Sequence, residues 1–319
     1  MKDKFLFIFR LSAGAGIVFV LFHTVPYEQL KQQLADADLR FLVFAFAEFF
    51  SLYIISTFRW QSVLAASGIN ISYWQTFYLL ICGLFFNLFC PSIVASDVFR
   101  ASMISVRDKH KGTKTASTVL LDRISGFAGL FLVSLAAVGM APEVVAEPEV
   151  LLSIIALFVL LLLVCGFIFS RRFAKSCIFF VSFSKKLEQI FTDLSEELRL
   201  FRRDPLLFVR MVGLSVIVHM GVVISFYLSS LAFGTRVSLM YFAVVVPVIL
   251  VMSVLPVSIA GLGTREIGAL FFLTRIGVSQ SAAIGISLMN FVFIVISGLT
   301  GGVMYAVYSK NWLVKRRNV

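Results

Sequence analysis

The sequence predicts an all-α integral membrane protein, with about six transmembrane helices and two re-entrant helical hairpins of opposite orientation. Hydrophobic residues make up 60% of the 319 residues, and charged residues only 14%, whereas soluble domains carry about 25% charged residues. Apolar runs long enough to cross a bilayer recur along the chain. We therefore expect a single polytopic membrane domain over residues 1–319 and no soluble catalytic domain.

Six apolar runs have the length of a full transmembrane helix. The predicted spans are 5–25, 39–58, 115–140, 150–170, 206–232 and 279–309. The second span is expected to end at Arg59. Two further apolar stretches, 73–90 and 239–257, are interrupted by proline and glycine, and a short helix at about 264–277 follows the second interruption.

Charge asymmetry predicts the topology. The net charge is +11, and Lys and Arg concentrate in 100–114, 171–204 and 310–319, whereas 26–38 and 141–149 are acidic. Basic segments remain in the cytoplasm, which places both chain termini there. We interpret 171–204 as a cytoplasmic amphipathic connector on the membrane surface, although a helix packed against protein fits its spacing nearly as well.

The same rule predicts two re-entrant hairpins. Eight plain spans would place the basic segment 100–114 outside the cell, against the positive-inside bias. If 73–99 enters and leaves from the cytoplasm, and 239–277 enters and leaves from the outside, every basic segment becomes cytoplasmic. The sequence thus indicates two hairpins that enter the membrane from opposite sides.

The two hairpin tips resemble each other. One runs from Pro91 to Arg100 and the other from Pro256 to Arg265, with eight residues between proline and arginine and an alanine at the same offset. Paired broken helices related by an internal repeat are typical of transporters, and irregular backbone at membrane depth must line protein or a watery cavity. A chance match between two apolar, proline-containing loops is the alternative.

Charged residues cluster at these interruptions. They are Asp97 and Arg100, which share a helix face, Asp122 and Arg123 inside a span, and Arg265 and Glu266 at the start of the helix after the second break. Ionisable residues within a membrane are costly and usually functional, and the planar guanidinium suits phosphate. We expect Arg100 and Arg265 to face one anion-binding cavity. Mutual neutralisation of the paired charges is an equally good interpretation, and both can hold.

Other classes of site find little support. The basic residues flank apolar runs and form no soluble module, so nucleic acid is not an expected partner. The four cysteines form no CxxC pair, and the three histidines are scattered, so no metal site is predicted. No nucleophile and base converge by spacing. We expect no catalytic residue, metal or cofactor, and hence no enzyme.

Three stretches of the chain form a recognisable set. They are Phe86-Asn87-Leu-Phe-Cys-Pro91-Ser92 through Asp97 to Arg100, the pair Asp122-Arg123, and Pro256-Val-Ser-Ile-Ala-Gly261-Leu-Gly263-Thr-Arg265-Glu266. Together they resemble the lysylphosphatidylglycerol synthase transmembrane-region family, which includes the flippase half of the multiple peptide resistance factors. The resemblance covers nearly the whole chain. The family usually has Gly-Gly-Asp before the first arginine, whereas this chain has Ala95-Ser96-Asp97.

The resemblance implies lipid translocation, or an accessory role in the assembly of envelope lipids or glycans. The expected function is flippase-like transport of an anionic phospholipid or a polyprenyl-phosphate-linked lipid across a bacterial or archaeal cytoplasmic membrane. The alternative is a non-catalytic scaffold for a separate lipid-modifying enzyme or glycosyltransferase. The predicted substrate-binding residues are Asn87, Pro91, Asp97, Arg100, Asp122, Arg123, Pro256, Gly261, Gly263, Arg265 and Glu266.

Overall fold

The computed structural model describes residues 27–89, 94–107, 112–140, 203–254 and 263–314, together with 151, 152, 155 and 159. Within these ranges the chain is helical, which confirms the predicted all-α class. The helices are α1 (Tyr27–Ala35), α2 (Leu39–Ala66), α3 (Tyr73–Phe89), α4 (Val94–Arg107), α5 (Gly112–Met140), α6 (Pro205–Ala232), α7 (Leu239–Val254), α8 (Thr264–Arg275) and α9 (Gln280–Val314).

Four of the predicted spans are confirmed as helices of membrane-spanning length and hydropathy. The qualifying stretches are Leu39–Ala66 in α2, Lys114–Gly139 in α5, Pro205–Ala232 in α6 and Gln280–Tyr308 in α9. The predicted span 5–25 lies outside the described residues, as does 150–170 except for four residues that are helical. The total of six spans therefore stays a prediction.

Two boundaries differ from those expected. The prediction that the second span ends at Arg59 was wrong, because α2 continues to Ala66 and stops only where Gly68 adopts a φ of 73°, a conformation that glycine permits. Arg59 is buried, with 8% of its surface exposed, instead of lying at a membrane surface. Helix α1 was not predicted within the polar segment 26–38, and it packs through Leu30 against Ile284.

The two proline-containing stretches form pairs of short helices. Helices α3, α4, α7 and α8 have 17, 14, 16 and 12 residues, fewer than the roughly 20 that cross a bilayer. The side-chain oxygen Oδ1 of Asn87 accepts a hydrogen bond from the backbone N–H of Ser96, at 2.8 Å, and so joins α3 to the first turn of α4. Pro91, Pro256 and Gly261 lie outside the described residues.

The helix contacts repeat between the two halves of the chain. In the first half, α2 packs on α3, α3 on α4, α4 on α5, and α2 on α5; in the second half, α6, α7, α8 and α9 make the same series of contacts. Between the halves, α9 packs on α3 and α5 packs on α7. This pattern supports the internal repeat that the two tips indicated. The side from which each hairpin enters the membrane stays a prediction.

Close helix contacts depend on small residues. A side chain on Gly301 of α9 would overlap the backbone of Ile81 in α3, and one on Gly129 of α5 would overlap Ser215 in α6. Small residues allow helix backbones to approach closely within a membrane, where packing provides much of the association energy. The central charged residues are thereby fixed between tightly packed spans.

Candidate functional site

Asp122 lies at the centre of a buried ion network. Its side chain is 6% exposed, and its Oδ1 accepts a hydrogen bond from Nε of Arg59 at 2.7 Å. Its Oδ2 lies 3.6 Å from an Nη atom of Arg100. Arg59 also donates to the hydroxyl of Ser215 at 2.8 Å. One carboxylate therefore links helices α2, α4 and α5, and Arg59 extends the link to α6.

Asp97 is the second carboxylate of this network. An Nη atom of Arg100 donates to its Oδ1 at 2.6 Å. Arg123 binds both of its oxygens, with Nε 3.0 Å from Oδ2 and an Nη atom 3.1 Å from Oδ1. The predicted proximity of Asp97 and Arg100 on one helix face is confirmed. Because three arginines share two aspartates, the network carries one positive charge that these carboxylates do not balance.

Arg100 is the most enclosed arginine of the network. Its side chain is 5% exposed, compared with 37% for Arg123, and its guanidinium carbon lies 4.6 Å from the centroid of the Trp60 ring. The indole N–H of Trp60 in turn donates to Thr118 at 3.3 Å. Two carboxylates and an aromatic face offset the charge of Arg100, while its Nε is buried without a hydrogen-bond partner among the described residues. Arg100 therefore has the surroundings of a structural residue.

Helices α5 and α6 meet through two polar contacts one turn apart. Asp122 and Gly126 are four residues apart on α5, as are Ser215 and His219 on α6, so each pair shares a helix face. Arg59 bridges Asp122 and Ser215, while Nε2 of His219 lies 3.0 Å from the carbonyl oxygen of Gly126. Because a carbonyl only accepts hydrogen bonds, Nε2 of this imidazole must carry a proton.

The second break begins α8 with a self-contained cap. Gly263 has a φ of 93°, a conformation that glycine permits, and its N–H donates to Oε2 of Glu266 at 2.6 Å. Oε1 of the same carboxylate accepts a hydrogen bond from Ser287 at 3.1 Å. Arg265 lies between Gly263 and Glu266 in the sequence and is 5% exposed. The cap thus fixes the position of Arg265 at the start of α8.

A cavity of about 370 Å³ lies between the two halves of the chain. Arg59, Arg123 and Arg265 line it from α2, α5 and α8, and Asp122 is the one carboxylate among the described residues that line it. The remaining lining residues are mostly apolar or neutral, among them Phe49, Tyr53, Leu84, Asn87, Phe127, His219, Phe226, Ser253 and Asn290. A mostly apolar pocket with a few convergent polar groups is the usual form of a ligand site.

The structure brings together only part of the predicted site. Asn87, Asp122, Arg123 and Arg265 line the cavity. Arg100, Asp97, Gly263 and Glu266 are not among its lining residues. Asp97 binds Arg100 and Arg123, and the contact between Gly263 and Glu266 holds the start of α8, where Arg265 lies. In this cavity Arg265 therefore shares the space with Arg123 and Arg59, and not with Arg100 as we expected.

Arg59 and His219 line the cavity but were not among the predicted site residues. No glycine, asparagine or proline follows Arg59 before Gly68, and this continuity could have placed Arg59 inside the membrane. His219 was dismissed because the histidines are scattered, and no sequence signal separates it from a core histidine. Among the described residues no three His, Cys, Asp or Glu side chains are grouped as a metal site would require, and the expected lack of a metal or cofactor stays a prediction.

Comparison with known proteins identifies the family of this chain. The chain is similar to the UPF0104 membrane protein PH1989 of Pyrococcus horikoshii, with 21% identity over 317 residues that cover 91% of this chain and 94% of the relative. The profile of the family described as "Lysylphosphatidylglycerol synthase TM region" matches residues 7–302. The match includes both broken-helix pairs and every residue of the cavity. This multi-pass membrane protein therefore belongs to the lysylphosphatidylglycerol synthase TM region family.

Proposed function

We propose that the protein is a membrane lipid translocase that moves an anionic phospholipid or a polyprenyl-phosphate-linked lipid across the bilayer. The observation that carries this proposal is the cavity between the two halves, where Arg59, Arg123 and Arg265 converge from three helices on an otherwise mostly apolar space. Guanidinium groups bind phosphate oxygens in pairs. Three of them beside one lining carboxylate favour an anion over a neutral or cationic ligand.

The position of the cavity also favours transport over simple lipid binding. It lies between two units with equivalent helix contacts, each containing a pair of short helices. Transporters with internal repeats bind their substrates at the repeat interface, close to broken helices. At about 370 Å³, the cavity fits a polar headgroup but not acyl chains, which would have to extend into the surrounding membrane.

We place the protein in the cytoplasmic membrane of a bacterium or archaeon, with both ends of the chain in the cytoplasm. The distribution of basic segments supports this orientation. The chain has no polar stretch as large as a soluble transferase domain, so we assign it no catalysis of its own. A separate enzyme could supply or consume the transported lipid.

Reconstitution into liposomes tests the proposal directly. Fluorescent phosphatidylglycerol is placed in both leaflets, and dithionite, which does not cross the membrane, quenches only the outer leaflet. The wild-type protein should make the inner-leaflet fluorescence accessible, while empty liposomes should not. Arg123→Lys and Arg265→Lys keep the charge but lose the planar fork, so each should slow transport about tenfold or more, the loss expected for one charged hydrogen bond.

Arg275→Lys is the matched control. Arg275 is an exposed arginine at the end of α8, whose guanidinium carbon lies 3.9 Å from the centroid of the Phe271 ring. The Arg275→Lys substitution makes the same chemical change outside the cavity, so transport should remain at the wild-type rate. If the wild-type protein is folded and moves no lipid, transport is refuted and the accessory role for a partner enzyme becomes the better interpretation.

A further inference from the structure

Arg123 differs from the other arginines of the ion network in its exposure. Its side chain is 37% exposed, whereas those of Arg59 and Arg100 are 10% and 5% exposed. It lines the cavity, as Arg59 does and Arg100 does not, so it is the arginine of the network that combines cavity lining with exposure. Arg123 is therefore the arginine of this network with the most freedom to exchange its partner for a ligand.

Asp97 occupies the binding face of Arg123 that a phosphate would use. Nε and an Nη atom of the guanidinium bind the two oxygens of Asp97 at 3.0 and 3.1 Å. A phosphate is bound by arginine in the same two-pronged manner. The carboxylate of Asp97 and two oxygens of a phosphate therefore compete for the same Nε and Nη donors of Arg123.

The network can lose this contact without leaving a carboxylate unpaired. If Arg123 turned towards the cavity, Asp97 would keep its 2.6 Å contact with Arg100. Arg100 would in turn keep Asp122, at 3.6 Å, and the face of Trp60. The pair between Asp97 and Arg123 is partly exposed, at 17% and 37%, and exposure weakens an ion pair, so the exchange costs less than breaking a fully buried pair.

We propose that Asp97 is a built-in competitor that displaces the lipid phosphate from Arg123 and so promotes its release. The inference rests on the proposed translocase function. A transported ion must be bound well enough to enter a site and weakly enough to leave it. A cavity with three arginines would retain a phosphate, and a carboxylate already positioned on one of them weakens that retention.

The inference predicts opposite effects on binding and on transport. Asp97→Asn retains the shape of the side chain but removes the competing charge. Binding of phosphatidylglycerol to the detergent-solubilised protein, measured by competition with a fluorescent lipid, should become about fivefold tighter, the upper range for a partly exposed ion pair. Transport in liposomes should become slower at saturating lipid. Asp97→Glu, which restores the charge, should return both quantities towards wild type.

Asp38→Asn controls for the lost charge. Asp38 binds Arg40 through both oxygens, with Nε at 3.2 Å and an Nη atom at 3.0 Å, and neither residue lines the cavity. Asparagine also caps a helix as well as aspartate does. Lipid affinity and transport should both stay within about twofold of wild type, a change smaller than the loss of one weak ion pair would cause.

Each outcome decides between the two claims. If wild type neither binds nor transports lipid, the proposed function fails and the inference fails with it. If wild type binds and transports, but Asp97→Asn binds lipid equally or more weakly, Asp97 is a structural residue and only the inference is overturned. Tighter binding in both Asp97→Asn and Asp38→Asn would assign the effect to net charge and would likewise overturn it.

Discussion

The strongest structural prediction concerns Asp122, because two buried guanidinium groups, those of Arg59 and Arg100, share its single negative charge. Asp122→Asn preserves the size of the side chain and one carbonyl oxygen, but removes the negative charge beside Arg59 and Arg100. Two unit charges about 4 Å apart interact by roughly 4 kcal/mol at an effective dielectric constant of about 20. Removing one partner of a buried pair typically costs about 3–5 kcal/mol, so we expect a loss in this range.

The buried thiol of Cys82 provides the assay. Cys82 has no exposed surface, so a dye that fluoresces on reaction with thiols reports the unfolding of this part of the protein. The other cysteines, Cys90, Cys165 and Cys177, are replaced by serine in both wild type and variant. The free energy of unfolding is then obtained from the extent of labelling against denaturant in a fixed detergent.

Two comparisons make the result specific to the buried pair. Asp97→Asn should cost less than Asp122→Asn, because Asp97 is 17% exposed and Arg123 37%. The double variant Arg59→Met/Asp122→Leu should recover part of the loss, since apolar residues of similar size often replace buried pairs without penalty. An Asp122→Asn protein within about 1 kcal/mol of wild type, the range of an exposed pair, would refute the buried network.

Three further perturbations follow from the backbone and the topology. Gly263→Ala should lower the free energy of unfolding by about 1–3 kcal/mol through backbone strain, and it should slow transport. Gly68→Ala is the control, because Gly68 has a similar positive φ and open space around it; this variant should be strained but should transport at the wild-type rate. Gly301→Val should destabilise the α3–α9 contact, measured by the same thiol assay, while Gly139→Val meets open space and should be tolerated. A cysteine at position 112 should resist labelling from outside the cell, and strong labelling there would contradict the two-hairpin topology.

Much of the fold was predictable because the bilayer imposes simple constraints on a sequence. Apolar length sets the extent of a span, and the predicted runs beginning at 39, 115, 206 and 279 correspond to α2, α5, α6 and α9. Proline and glycine indicated that two of the apolar stretches are divided into shorter helices. The boundary at Arg59 failed because a charge was taken for the end of a span, although a buried carboxylate on another helix can hold that charge inside.

The candidate site was predictable only in part. Local spacing was sufficient for Asp97 and Arg100, which are three residues apart on one helix and form the ion pair that was expected. It was insufficient for Arg59 and Asp122, which are 63 residues apart and meet only when α2 packs on α5. His219 and Gly126 are 93 residues apart and are linked in the same way through α6.

The sequence by itself determined that this chain is helical, lies in a membrane and carries charged residues near two interrupted helices. Those properties depend on hydropathy, charge and the local limits on proline and glycine, which each segment carries alone. The tertiary structure decided which arginines face the cavity. The side chain of Arg100 is directed to Asp97, Asp122 and Trp60, while those of Arg59, Arg123 and Arg265 line the cavity. That choice depends on helix packing between distant segments, because a buried charge takes the partners that the neighbouring helices bring to it.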